Sequence, residues 1–241
     1  MIIKTVLTNK EDLKAYYEFI GYFVVEEIYD LDTSCIELKE PTLDMAKRLQ
    51  ELNKLESSYS TDFAKFYCKL SSVKKEDMKD LEKFVADFNT LACKVLLAQY
   101  KAKFSIDGFE YLLNLAYEYK KYDIIYSKLL LLLGKMVKDL PSLESQALLY
   151  FKESFEINPI QETAYEIGLC YFRQQMYQLA LYAFFDAKDY KKYNYDNINT
   201  KIAECYYGMH DFLDCIEYCD KVKSKYTCNL KERCFHALGV K

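Results

Sequence analysis

The 241-residue sequence predicts an all-α fold of paired helices, and three observations predict it. From about Leu130 to the C-terminus, small and apolar residues return about every 34 positions. Only six Gly and three Pro interrupt the chain, too few for a sheet protein with many turns. Elsewhere, apolar residues fall at steps of three and four, the spacing of one helix face. Hydrophobic residues at 51% and charged residues at 29% support a packed core rather than disorder.

The N-terminal half is the less regular part. Ile2, Ile3, Val6 and Leu7 suit a short strand or an extended lead-in over 1–8. Asn9, followed by Glu11 and Asp12, suits a helix N-cap with acids in the first turn. The stripe Leu13, Tyr16, Tyr17, Ile20, Phe23 and Val24 predicts a helix to about Tyr29. A loop over 30–41 has room for a short strand at 35–38. Met45, Leu49, Leu52 and Leu55 then predict a helix over 42–57, and Phe63, Phe66, Tyr67 and Leu70 a shorter one. The apolar positions Leu81, Phe84, Val85, Phe88, Leu91, Ala92, Val95 and Leu96 predict one long helix over 75–102. Asp107 and Glu110 form a capping-box pattern that opens the next helix, to about Lys121. Residues 1–105 are thus expected as a helical N-terminal region, packed against or continuous with the paired helices of the second half.

The remainder, 106–241, becomes paired. The first hairpin is predicted at 123–138 and 142–157, with Pro141 in the turn. Asn158, Pro159 and Gln161 suit the cap, first position and capping box of the second pair. Its helices are expected to end near Gln174 and to run over 177–189. The third pair is expected over 196–207 and 211–223. Asn229 and Glu232 suggest a last capping box, opening a terminal helix over 229–239.

The clearest copy reads Ala164-x2-Ile167-Gly168-x2-Tyr171, then Ala180-x3-Phe184-x2-Ala187. Before it stand Leu130, Leu133, Gly134, Val137, Ala147, Phe151 and Ser154; after it come Ile202, Ala203, Tyr206, Cys215, Cys219 and Val222. Gly134 to Gly168 is 34 residues and Gly168 to Ala203 is 35. This pattern resembles the tetratricopeptide repeat, a helix–turn–helix unit of 34 residues. The resemblance covers about half the chain and lacks the family's Trp. It implies a right-handed superhelix of antiparallel hairpins, with repeats at about 123–159, 160–195 and 196–228 and a helix that caps the last apolar face. Small residues at Gly134, Gly168 and Ala203 would let the helices of a pair approach, and Ala147, Ala180 and Cys215 would admit the next hairpin.

Function is bounded more by exclusion. A net charge of −4, with acids near most lysine pairs, argues against a dedicated nucleic-acid binder. The longest apolar run, 129–133, is far shorter than a membrane span. Nine Cys without a secretion signal point to thiols in a reducing compartment, the cytosol first and the nucleus second. No phosphate-binding loop, dinucleotide fingerprint or nucleophile elbow occurs, so no enzyme activity and no cofactor are expected. Cys215 and Cys219, with Cys228, Cys234 and His236 following, invite a zinc reading. Cys215 and Cys219 fall on packing positions, however, and no C-x2-C pair exists, so no metal site is expected.

Tyr is abundant at 24 copies. In the family resembled, the first helix of each pair lines the concave groove. That face carries Tyr165, Leu169, Phe172 and Arg173 in the middle copy and Thr200, Glu204 and Tyr207 in the third. Aromatic and Arg residues are favoured anchors at interfaces. The Lys, Asn and Arg clamp that some relatives use for a chaperone's terminal carboxylate is not reproduced. The implied role is a protein-binding adaptor or scaffold subunit that holds a peptide or partner helix. A chaperone of a secreted or unfolded client, and an RNA-binding factor or enzyme without a motif, are the rivals. None of Tyr165, Phe172 and Tyr207 falls on a repeat-packing position.

Overall fold

β-Branched and aromatic residues crowd two stretches near the N-terminus, and there the chain pairs strands rather than winding helix. The computed structural model describes residues 2–5, 23–30, 33–39, 59–70, 72, 74–190, 195–222 and 224–240. They fall into two units, Met1–Leu115 and Ala116–Lys241, so the division lies ten residues beyond the expected 105.

In the first unit, β1 (Ile2–Thr5), β2 (Phe23–Asp30) and β3 (Thr33–Lys39) form an antiparallel sheet in the order β1-β3-β2. Ile2 pairs with Glu37 and Thr5 with Ser34; Asp30 pairs with Thr33, and a bulge interrupts β2 between Val24 and Glu26. The helix expected to reach Tyr29 is corrected here over 23–29. Val24, Val25 and Ile28 favour a pleated backbone, and 33–39 supplies the partner strand that a local periodicity does not show. The expected short strands at the N-terminus and at 35–38 are both present. The rest of that helix, 9–22, and the helix expected over 42–57 lie outside the described residues.

Three helices follow: α1 (Tyr59–Lys69), α2 (Asp77–Phe88) and α3 (Leu91–Ala102). The single helix expected over 75–102 is therefore two. Asn89 takes the left-handed conformation at φ 47°, donating its N–H to the Val85 carbonyl, and the Thr90 side chain accepts from the Cys93 N–H to start α3. Asn tolerates that backbone and Thr is a strong N-cap, so the break is chemically specified. Folding back brings Phe63, Leu81, Phe84, Val85, Leu96 and Tyr100 into one core. The fully buried Tyr100 hydroxyl donates to the Phe66 carbonyl at 2.6 Å. That carbonyl lies in the last turn of α1, where Leu70 N–H bonds Tyr67 instead. Helix α4 (Asp107–Glu118) closes the unit and enters the next.

The second unit is a stack of helical hairpins, as expected: α5 (Asp123–Val137) with α6 (Glu144–Ile157), α7 (Gln161–Arg173) with α8 (Tyr177–Asp189), and α9 (Tyr195–Gly208) with α10 (Phe212–Asp220). Helix α11 (Lys225–Ala237) ends it, and each helix from α5 to α11 packs on the next in sequence. From Tyr59 onward the described elements are helical.

The repeat positions do what their sizes require. A Cβ on Gly134 would lie 2.4 Å from the Phe151 ring, and one on Gly168 would lie 2.5 Å from the Phe184 ring. Phe151 and Phe184 are fully buried, so each glycine is the space that its pair's phenylalanine fills. In the third pair Ala203 replaces Gly and Cys219 replaces Phe; both are buried in one cluster. A methyl added on one helix is offset by a smaller side chain on the other. Ala180 packs with Ile198, Ile202 and Cys205 of the next pair, and Cys215 packs with Leu230 and Cys234 of the terminal helix.

Two turns share a geometry their sequences conceal. Gln175 and His210 both have positive φ, 59° and 63°. Met176 N–H donates to Tyr171 O at 2.9 Å, and Asp211 N–H to Tyr206 O at 2.9 Å, the long closing bond of a Schellman cap. The first pair instead turns through a 3-10 segment at Pro141–Leu143.

Two capping expectations are corrected. Helix α7 begins after Ile160 without a side-chain cap, because Asn158 ends α6, its N–H bonded to the Ser154 carbonyl at 3.0 Å. The helix expected over 229–239 starts four residues earlier. Ser224 accepts from Thr227 N–H at 3.1 Å, and Thr227 Oγ1 accepts from Ser224 N–H at 3.3 Å. The true capping box lies one turn ahead of Asn229.

Candidate functional site

The first helices α5, α7, α9 and α11 lie about one repeat apart, and their side chains meet across the gaps between them. From α5 to α7, Lys135 pairs with Glu162, and Lys138 reaches Glu166 at 2.8 Å. Arg173 reaches back to α5, donating to the Lys138 carbonyl at 2.8 Å and to Asp139 at 3.0 Å. From α7 to α9, the Lys201 ammonium lies 5.0 Å from the Phe172 ring centre and is held by Glu204 at 2.6 Å. From α9 to α11, the Arg233 guanidinium lies 4.7 Å from the Tyr207 ring centre. Tyr226 hydrogen-bonds Glu204, and burial first and that carboxylate second push its hydroxyl up to about 12. Phe172 and Tyr207 are equivalent positions, so an aromatic ring with a cation from the next first helix is a repeated device.

The seven expected site residues are distributed over this face, but they are not alike. Tyr165 and Leu169 are half-buried, and the Tyr165 ring lies 5.6 Å from Phe184. Phe172 packs edge-on to Tyr177 at 5.6 Å, and Tyr207 edge-on to Phe212 at 5.7 Å. The expectation that Tyr165, Phe172 and Tyr207 lack packing duties is therefore corrected: each ring has an intramolecular partner. Arg173 is exposed yet occupied, because it satisfies a carbonyl at the end of α5. Thr200 donates to the Asp196 carbonyl at 2.7 Å within its own helix. Glu204 joins Lys201 and Tyr226.

Lys201, Tyr226 and Arg233 belong to the same face, and neither Tyr226 nor Arg233 stands out in the sequence. For Arg233 and Tyr226, the shifted start of α11 hid the register. Lys201 follows Thr200 directly, but the charge reaches the Phe172 ring only through tertiary packing.

A second surface lies on the other side of the hairpins. Lys152 and Phe155 of α6, Ala164, Ile167 and Tyr171 of α7, and Leu179, Tyr182, Ala183 and Asp186 of α8 line a groove of about 220 Å³. Tyr182 is 60% exposed and Leu179 44%, and on α6 Leu149 is 65% exposed. These residues fall on solvent-facing positions of the second helices, where large apolar groups gain nothing from folding.

Apart from the exposed Cys228, the thiols of the second unit are core groups. Cys170 and Cys205, at equivalent positions, are buried, and burial pushes them up to about 11 and about 12. Cys215, Cys219 and Cys234 are buried together, and desolvation raises the first two. Among the described residues no group of three or more His, Cys, Asp or Glu side chains is placed to hold a metal ion, and no helix is long and apolar enough to cross a membrane. His210 serves the α9–α10 turn, its ring 5.9 Å from Phe212.

A solved structure of a thermophilic TPR protein from Thermus thermophilus is similar to this chain at 16% sequence identity and a TM-score of 0.44, over 81% of this chain and 100% of that one. No protein-family model and no curated protein matches the chain. The repeat-like architecture stands on the chain's own hairpins and on the Gly–Phe contacts between their helices.

Proposed function

We propose that the chain is a non-enzymatic adaptor or scaffold subunit that holds an extended peptide or a partner helix along the first-helix face, the concave side of the stack. One observation carries this reading. Tyr165 and Phe172 on α7, and Tyr207 one repeat after Phe172 on α9, present half-buried rings among lysines and an arginine already matched by carboxylates or carbonyls. Such a surface offers aromatic contact area and few uncompensated charges to desolvate. The rings are held by their neighbours, so little ordering cost falls on this side of the complex.

The test is binding of the native partner, isolated with the full chain from its own cells, to wild type and to Tyr165→Ala/Phe172→Ala/Tyr207→Ala. Anchors are often worth ~2 kcal/mol each, so the triple variant is expected to lose several kcal/mol of affinity. Because each ring also packs internally, the variant is compared at a temperature where its helical circular dichroism matches wild type. Full affinity under those conditions refutes the reading.

A second reading is favoured by Leu179 and Tyr182, which line the groove among α6, α7 and α8, and by the exposed Leu149 on α6. If the partner docks there, Leu149→Asp/Tyr182→Asp abolishes binding while the aromatic triple variant retains it.

A further inference from the structure

Three thiols meet where the last hairpin receives the terminal helix. Cys215 and Cys219 stand one turn apart on α10, and Cys234 faces them from α11. The Cys234 and Cys215 sulfurs are 3.3 Å apart, and both residues are fully buried. In the two preceding layers the residue equivalent to Cys215 is alanine, Ala147 or Ala180, so a thiol is not what packing at this position requires.

Helix α11 is also the element best placed to open. It packs on α10, and Tyr226 and Phe235 on it are solvent-exposed. Helices with much exposed surface open locally at lower cost than the whole core.

We propose that Cys215 and Cys234 are a disulfide-forming pair that pins the terminal helix to the last hairpin when a small-molecule disulfide, such as oxidised glutathione, is in excess. A disulfide bond is about 2.05 Å long, so the sulfurs close by about 1.2 Å. During opening of α11, the Cys234 thiolate attacks one sulfur of the small disulfide. A mixed disulfide forms and one glutathione thiolate leaves. On reclosure Cys215 gives its proton to solvent and its sulfur attacks that of Cys234, expelling the second glutathione. Two protein thiols are oxidised and one disulfide is reduced to two thiols, so the step balances. Arg233 and Tyr226, which meet Tyr207 and Glu204, lie on the same helix. The bond therefore immobilises the last part of the first-helix face.

The full chain is equilibrated over a series of oxidised-to-reduced glutathione ratios, quenched in acid, alkylated and digested. The nine thiols are expected to fall to seven, with a crosslinked peptide joining Cys215 to Cys234. Closing a loop of 19 residues is expected to raise the unfolding midpoint by at least ~5 °C. Cys234→Ser is expected to keep all its remaining thiols. The crosslinked peptide from the native chain decides the matter even if that variant folds poorly. Nine thiols surviving the highest ratio, a bond from Cys219 to Cys234, or a dimer through the exposed Cys228 overturns the proposal.

Discussion

Replacing Gly168 by a larger residue tests the repeat register at a close helix approach. An added Cβ would lie 2.5, 2.6 and 2.9 Å from three atoms of the Phe184 ring, whereas carbon atoms rest at about 3.5–4.0 Å. The first contact alone requires α7 and α8 to separate by about 1 Å, since the fully buried ring has nowhere to turn. Overpacking of this kind typically costs 1–3 kcal/mol, and in Gly168→Ala about 1 kcal/mol of that is returned by better helix propensity. Gly168→Leu adds three more carbons to the same space, so it is expected to lose more than about 2 kcal/mol, or roughly 4–8 °C in midpoint. The third pair suggests the compensating change, because there Ala203 is matched with Cys219. Phe184→Cys alone leaves a cavity and is expected to lose about 3 kcal/mol. Combined with Gly168→Ala, it is expected to be favourably coupled by about 1–2 kcal/mol. Urea unfolding of the four proteins in this cycle measures the coupling. Additive losses, or a Gly168→Leu protein as stable as wild type, would refute the assigned contact and with it the register of the repeat.

The remaining predictions concern single groups. Tyr100→Phe removes the hydroxyl that serves the Phe66 carbonyl and is expected to lose about 1–2 kcal/mol in chemical unfolding; an unchanged midpoint would mean that the carbonyl finds water. Gln175→Gly relieves a left-handed backbone and is expected to stabilise by up to about 1 kcal/mol, provided the turn is as described. Cys170 and Cys205 keep their protons to about 11 and about 12 when folded, against an ordinary value of 9.0. Their raised folded values mean that this stabilisation is complete below pH 9, declines above it and is gone once pH passes the folded values. Thermal midpoints should therefore fall progressively between pH 9 and 11, less steeply in Cys170→Ala/Cys205→Ala, and a flat profile in wild type contradicts that burial.

The hairpin stack was legible because its causes are local and repeated. Gly134, Gly168 and Ala203, together with Ala147, Ala180 and Cys215, are size requirements imposed wherever helices of one repeat approach those of the next. A periodic architecture writes the same requirement several times. The break at Asn89 and Thr90 was written there too, as a left-handed residue followed by an N-cap, although the continuous apolar stripe on either side masked it. Other features required the tertiary structure. Strand β2 depends on β3, a partner that helical periodicity does not weigh. The cap at Ser224 prevails over Asn229 because α10, at 9 residues, ends sooner than α6 and α8 at 14 and 13, and that shift alone decides which residues of α11 meet Tyr207 and Cys215. The left-handed turns at Gln175 and His210 are held by the bonds from the residues after them, Met176 and Asp211, to carbonyls five residues back, so neither needs glycine. The candidate face is the clearest instance. Sequence spacing places Tyr165, Phe172 and Tyr207 on first helices, but whether a ring is free or covered is settled by Phe184, Lys201 and Arg233, which reach it from other helices.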